Sequence, residues 1–189
     1  MTVDSGGGVT QHNVSGNYFD GRGGGVGEGN GSYGVQAPDQ NARDQVRYLT
    51  QILQKSMAGR SSLDLAVNQV RSCTDVAGAT ITFNDVATNR QQLLDALESA
   101  PVDAIPDGQS LVAQLRTALQ LSHESDLVWI QWGQAQQANA CADGESNPAY
   151  VQVVELNKRV AQAKDEFLGV WNSSIAGTYG APTFTKSQI

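Results

Sequence analysis

Residues 41–73 read NARDQVRYLTQILQKSMAGRSSLDLAVNQVRSC, and their pattern favours an α-helical fold. Apolar or small side chains recur in it at intervals of three, four or seven residues. They are Val46, Leu49, Leu53, Ser56, Leu63, Val67 and Val70. Because such intervals place side chains on one side of an α-helix, the stretch predicts an amphipathic helix. Arg60 interrupts the stripe, and Gly59 beside it predicts a bend or weak point.

Three more helices are predicted by the same periodicity, at about residues 75–99, 109–140 and 148–177. Asp75 suits the N-cap of the second helix, and Pro148 suits the first turn of the fourth. The predicted core residues of these helices are Val76, Ala79, Phe83, Val86, Arg90, Leu93, Leu97, Leu111, Leu115, Ala118, Leu121, Val128, Trp129, Trp132, Tyr150, Val153, Val160, Phe167, Val170 and Trp171. Together with the first helix they make an all-α domain of four long helices.

The connections between these helices are short, which favours antiparallel neighbours in the bundle. We therefore expect residues 38–189 to form an up-down-up-down four-helix bundle. The tail that begins near Tyr179 contains Gly180 and Pro182, which leave helical geometry, and we expect it to pack against one end of the bundle.

Residues 1–37 differ sharply in composition from the rest of the chain. Residues 1–36 hold 12 of the 20 glycines and few apolar side chains. Such a segment cannot offset its ordering entropy by burying apolar surface. We expect a flexible arm, or an arm that becomes ordered by contact with neighbouring chains in an assembly.

The chain has two cysteines, Cys73 at the end of the first helix and Cys141 after the third. In an up-down-up-down bundle these two helix ends lie at the same pole, so the sequence predicts a Cys73–Cys141 disulfide. Closing so long a loop is worth roughly 4 kcal/mol in the chain-entropy model. Two buried free thiols are the alternative. A disulfide would indicate an oxidising compartment, hence an extracytoplasmic or cell-surface location.

The charge balance argues against some classes of partner. The net charge is −7, and Lys and Arg do not cluster, so nucleic acid is not an expected partner. No apolar stretch approaches the roughly 18 residues that span a bilayer. We therefore expect membrane contact only through a tether that this sequence lacks.

Two motifs of enzymes and cofactor sites match this sequence in part, but each lacks the structural context or the ligand residue that the motif requires. Gly29-x-Gly31-x-x-Gly34 resembles a dinucleotide fingerprint, but no strand precedes it. His123-Glu124 begins like a zinc-protease helix, yet Leu127 occupies the position of the second histidine ligand. The pair His123 and Asp126 is interpreted as part of a solvated helix face. The sequence thus predicts no catalytic residue, no metal site and no cofactor.

An aromatic group is the remaining candidate for a binding site. Trp129 and Trp132 lie one turn apart on the third predicted helix, and Phe167 and Trp171 lie one turn apart on the fourth. These four side chains have two interpretations, as core packing or as the lining of a ligand groove between helices.

Several short motifs occur in an order that points to a known group of proteins. They are the cysteine that closes the first helix, Phe-x-x-Val-Ala-x-x-Arg at 83–90, PVDAIPDG at 101–108, the tryptophan-rich third helix, the second cysteine, Phe-Leu-x-x-Trp-Asn at 167–172 and Tyr-Gly-x-Pro-Thr-x-Thr at 179–185. Over about residues 41–189 the chain resembles a poorly characterised helical domain of actinobacterial proteins. In that group the domain usually follows a transmembrane helix and a Gly/Ser-rich spacer. The resemblance implies an outward-facing domain and implies no activity, and this chain lacks the membrane segment.

Two functions are expected from these observations. The first is a non-enzymatic extracytoplasmic binding or structural module, displayed on a flexible spacer, that contacts a protein or a cell-wall component. The alternative is a subunit of a filament, capsid or surface assembly that self-assembles through residues 1–36.

Overall fold

Asp39 begins the first helix of the computed structural model, which describes residues 39–189. The carboxylate of Asp39 accepts a hydrogen bond from the backbone N–H of Asn41, as an N-cap does. The long helices of this part of the chain are α1 (Gln40–Arg71), α2 (Val76–Glu98), α3 (Gly108–Ala138) and α4 (Pro148–Val170). All four predicted helices are therefore present. The predicted arm, residues 1–37, lies outside the described residues.

The starts of α2 and α4 follow the expected local chemistry. Asp75 accepts a hydrogen bond from the backbone N–H of Gly78 and caps α2. Asn147 accepts one from the backbone N–H of Ala149 and caps α4, with Pro148 in its first turn. The weak point expected near Gly59 does not break α1, which is continuous from Gln40 to Arg71.

The helices pack in the order of the chain, α1 against α2, α2 against α3 and α3 against α4. Long side chains join α1 to α4: the Arg71 guanidinium donates to the Tyr150 hydroxyl over 2.6 Å. This arrangement confirms the all-α up-down-up-down bundle. None of the helices within residues 39–189 is long and apolar enough to cross a bilayer.

The predicted Cys73–Cys141 disulfide is present, with 6.2 Å between the two Cα atoms. Both cysteines lie just beyond a helix end, in the left-handed backbone region at φ 52° and 61°. There, the backbone N–H of Cys141 bonds to the carbonyl of Gln136, which closes the last turn of α3. We call this end of the bundle, with connections 72–75 and 139–147, the disulfide pole.

The opposite end, with connection 99–107 and residues 180–189, is the tail pole. Here the Trp171 indole N–H donates to the Pro182 carbonyl over 2.9 Å. The side chain of Asn172 bonds to both the N–H and the carbonyl of Phe184. Phe184 and Ile189 are buried. The tail therefore packs on the bundle, as expected.

The apolar core is divided into two clusters. The cluster of the tail pole contains Val46, Leu49, Ile52, Leu53, Leu93, Leu94, Leu97, Val102, Ile105, Leu111, Val112, Leu115, Leu119, Phe167, Leu168, Trp171, Ile175, Ala176, Phe184 and Ile189. The cluster of the disulfide pole contains Leu63, Ala66, Val67, Val70, Ala79, Phe83, Val86, Val128, Trp129, Trp132, Tyr150 and Val153. Most predicted core positions are buried, although Val170 is 37% exposed.

Candidate functional site

The four predicted groove residues belong to different clusters. Trp129 and Trp132 pack in the disulfide-pole cluster, with ring centroids 5.3 Å apart. Phe167 and Trp171 pack in the tail-pole cluster, with ring centroids 5.9 Å apart. All four side chains are buried. They are therefore core residues, and they do not line one common groove.

A layer of polar side chains separates the two apolar clusters. It contains buried residues from each of the four helices: Ser56, Arg90, Ser122, Ser125, Asp126 and Lys164. The Arg90 guanidinium donates to Asp126 Oδ2 over 3.2 Å and to Ser56 Oγ over 3.0 Å. Buried charges are stable only when they are paired and hydrogen-bonded, so these partners explain how α2 carries an arginine in its core stripe.

The electrostatics of this layer are set mainly by burial. Burial raises the pKa of Asp126, and the neighbouring Arg90 opposes that rise. Burial, followed by the repulsion of Arg90 and Arg60, lowers the pKa of Lys164 to about 7. Lys164 is thus far easier to deprotonate than an ordinary lysine.

The solvated face predicted for His123 and Asp126 is wrong for Asp126, which is 1% exposed. Asp126 lies one turn from Ser122 and one turn from Trp129, so it shares their buried side of α3. His123 is half-buried, and its Nδ1 is enclosed with no hydrogen-bond partner among the described residues.

A pocket of about 410 Å³ opens at the tail pole, between the start of α3 and the helical segment that follows α4. We call it the tail-pole pocket. Its polar side chains are Asp107, Ser110, Gln114, Ser174, Thr178 and Tyr179, and its other lining residues are Pro106, Leu111, Val170 and Ile175. This volume falls in the range of small-molecule sites, which combine apolar walls with a few polar groups.

A π-helical segment, Trp171–Ala176, builds one wall of the tail-pole pocket. Its wider turns place Trp171 and Ala176, five residues apart, in the core while Ser174 lines the pocket. One further helical turn, Gly177–Tyr179, brings Thr178 to the same wall. Short π-helical segments occur frequently at functional sites in proteins.

The opposite wall holds an enclosed acceptor without a donor. Gln114 Oε1 is buried and has no hydrogen-bond partner among the described residues. A buried acceptor left unpaired costs about 1–3 kcal/mol. A ligand group that donates a hydrogen bond to this oxygen would recover that free energy.

The tail-pole pocket is not predicted by the sequence. Its hydroxyl and amide residues are the same types that cover the rest of this surface, so composition does not distinguish them. The available signal lies at the end of the fourth helix. Trp171 and Ile175 are four residues apart, as on one side of an α-helix. Ala176 is five residues from Trp171, a spacing typical of a π-helix, and it is also buried.

No group of three or more His, Cys, Asp or Glu side chains in residues 39–189 is arranged to hold a metal ion. The chain matches no protein family, no curated protein and no solved structure. No relative therefore transfers a function to the tail-pole pocket, and its chemistry has to be inferred from its own residues.

Proposed function

We propose that this protein is a non-enzymatic extracytoplasmic binding module whose tail-pole pocket holds a small, uncharged, hydroxyl- or amide-rich ligand. A saccharide or amide-bearing fragment of a cell wall has this chemistry. The observation that carries the proposal is the pocket itself, which combines apolar walls with hydroxyl groups and the unpaired Gln114 Oε1.

The polar groups of the pocket suit a neutral ligand. Ser110, Ser174 and Thr178 each present a hydroxyl that can donate and accept, while Gln114 Oε1 accepts. Val170, which is 37% exposed, and the ring of Tyr179 offer apolar surface on which the C–H face of a sugar can pack. The lining includes no lysine, arginine or histidine, so it has no cation with which to bind an anion.

Two features support the remaining parts of the proposal. The Cys73–Cys141 disulfide supports an oxidising compartment, because cytosolic thiols are kept reduced. A non-enzymatic role is supported by the same lining, in which Asp107 has no histidine, lysine or cysteine beside it to form an acid–base pair.

The test is a titration of the ¹⁵N-labelled full chain with an N-acetylglucosamine disaccharide, maltose and a short alanine peptide. We expect at least one probe to shift amide signals at Ser110, Gln114, Ser174 and Thr178. Thr178→Val and Gln114→Leu should weaken that binding by at least about fivefold each, since each removes one hydrogen-bonding group.

Matched controls are available on α3. Thr117→Val and Gln120→Leu make the same chemical changes at exposed positions outside the pocket. They should leave binding unchanged. Equal losses in the pocket variants and the controls, or shifts confined to other faces, would refute the tail-pole pocket as the binding site.

The assembly alternative is supported by a different observation. A groove of about 740 Å³ between α3 and α4 is lined in part by Leu127, Val128 and Leu156. Val151 and Val154, also on α4, are 55% and 39% exposed. Apolar surface of this kind favours contact with another chain. Light scattering of the full chain and of a variant without residues 1–36 tests it: multimers that the deletion abolishes support assembly, and a monomer in both cases rejects it.

A further inference from the structure

A second cavity, of about 300 Å³, lies where α1, α4 and the C-terminal tail meet. Three cationic side chains line it, Arg60 from α1, Lys164 from α4 and Lys186 from the tail. Asn157 and Ser187 add an amide and a hydroxyl. We call it the basic cavity. In a chain with a net charge of −7, three cations from distant parts of the sequence converge here.

Two of these cations have a carboxylate partner beside the cavity. Arg60 pairs with Asp64 over 3.1 Å, and Lys186 pairs with Asp165 over 2.6 Å. Neither carboxylate belongs to the cavity lining, and both are well exposed. Water and salt screen such exposed pairs strongly. The cations can therefore turn to a ligand in the cavity at small cost.

Lys164 is the enclosed member of the group. Its residue is only 6% exposed, and its ammonium donates to the backbone oxygen of Ile189. An ammonium carries three N–H groups, so within the described residues this contact leaves two that can be directed at a ligand. Burial of an ammonium is costly, and a bound anion would stabilise it.

The orientation of Asn157 adds a neutral donor. Its Oδ1 accepts a hydrogen bond from Ser125 Oγ over 2.8 Å. Because that contact fixes the amide oxygen toward the polar layer, the amide N–H₂ is left for the cavity. The side chains facing the cavity therefore offer mainly hydrogen-bond donors.

We propose that the basic cavity is a binding site for a small oxyanion, carried by Arg60, Lys164 and Lys186 with Asn157 as a neutral donor. Both tetrahedral phosphate-type anions and planar carboxylates have this chemistry, since each presents several oxygens to a set of N–H donors. The site is independent of the tail-pole pocket, which has no cation in its lining.

Titration of the ¹⁵N-labelled full chain with sulfate and, separately, with acetate tests the proposal at pH 6.5 and constant ionic strength. We expect saturable shifts of the amides of Arg60, Asn157 and Lys186. Tighter binding of sulfate would assign the site to tetrahedral anions, and tighter binding of acetate would assign it to carboxylates. Failure of both anions to shift these amides would overturn the proposal.

Charge-removing variants locate the binding. Arg60→Gln and Lys186→Gln should each weaken the affinity by at least about tenfold, because each removes a charge-assisted hydrogen bond. The controls are Arg47→Gln, whose ion pair with Asp44 on α1 is also exposed, and Lys158→Gln, which pairs with Glu155 on α4. These should bind the anion as the parent chain does. Equal weakening in variants and controls would mean general charge attraction and would refute the site.

The pH profile gives a second readout. The charged groups around Lys164 are Arg60 and Asp64 on α1, Arg90 on α2 and Asp126 on α3, with Lys186 of the tail in the same cavity lining. Since the pKa of Lys164 in the unliganded protein is about 7, sulfate affinity should fall as the pH rises from 6 to 8. Lys164→Met should bind more weakly at pH 6 and lose most of this slope. A slope that persists in Lys164→Met would contradict the role of Lys164, as would its absence in the parent chain.

Discussion

Arg90 is enclosed in the middle of the bundle, with its guanidinium bonded to Asp126 and Ser56. Arg90 and Asp126 are 3% and 1% exposed. The attraction between two such charges must offset a desolvation cost of several kcal/mol per ion. The pair therefore adds little net stability, yet the loss of either partner leaves an unpaired charge in the core.

A double-mutant cycle on Arg90 and Asp126 tests this energy balance. Arg90→Met should lower the free energy of unfolding at pH 7 by about 3–5 kcal/mol, because the Asp126 carboxylate then lacks its cation. Arg90→Met combined with Asp126→Leu should recover most of that loss. Urea unfolding measures both.

The exposed pair of Arg47 and Asp44 is the control for this cycle. Arg47→Met should change the unfolding free energy little, since exposed ion pairs contribute little. If the double variant were as unstable as Arg90→Met alone, the balance described for the buried pair would be wrong.

The sequence predicts the burial of Arg90 but not that of Asp126. The 3.6-residue period places Arg90 on the buried side of α2, but period alone does not identify its partner on another helix. The spacing of Asp126 and His123, one turn apart, predicts a solvated face, whereas Asp126 accepts a hydrogen bond from Arg90 inside the bundle. Gln114 and Ser174 carry no pattern at all, since pocket residues converge only through the packing of α3 against the segment after α4.

At the scale of helices, Gly133 determines how closely α3 approaches α2. A Cβ atom at this position would lie 2.5 Å from Thr80 Oγ1 and 3.3 Å from the ring of Phe83. Thr80 is fixed by its own hydrogen bond to the Val76 carbonyl. The absence of a side chain at Gly133 therefore permits the contact between the two helices.

Gly133→Ala should destabilise the domain by about 1–3 kcal/mol, since the added methyl group overpacks the α2–α3 contact. Gly169→Ala is the matched control, because a Cβ there meets nothing within 4 Å. It should stabilise the domain by up to about 1 kcal/mol through helix propensity. Thermal unfolding measures both, and stabilisation by both substitutions would contradict the close approach of α2 and α3.

The spacing of apolar residues predicts the four helices well. A long apolar stripe on one side of a helix has to be buried against another helix, so the stripe is present in the sequence of each one. The N-caps Asp75 and Asn147 are also predictable from the sequence, because capping depends on short-range chemistry. The π-helical segment is not predictable from the sequence, because its geometry depends on tail contacts such as those of Asn172 with Phe184. Such contacts join residues that no local pattern relates.

At the scale of the whole molecule, the disulfide links the end of α1 to the end of α3 across 68 residues of sequence. Cys73 is exposed, so a reductant can reach the bond. By closing this loop, the disulfide restricts the unfolded chain and contributes roughly 4 kcal/mol to the free energy of unfolding. The pairing of the two cysteines is predictable from the sequence, because the order and number of the helices alone bring both cysteines to one pole.

Reduction of the Cys73–Cys141 bond should lower Tm by several degrees, without loss of helix content at 25 °C, because both apolar clusters remain. Cys73→Ser with Cys141→Ser should behave like the reduced protein. Calorimetry and far-ultraviolet circular dichroism measure the two effects. An unchanged Tm would show that the bond does not stabilise the bundle.

We propose that this bundle works outside the cytoplasm as a disulfide-stabilised binding module. The most direct measurement is the thiol state of the protein from its native source, alkylated without reductant and mapped as non-reduced peptides. We expect a Cys73–Cys141 crosslinked peptide and no alkylated cysteine. Two alkylated thiols would contradict an extracytoplasmic location, because they would place the protein in a reducing compartment.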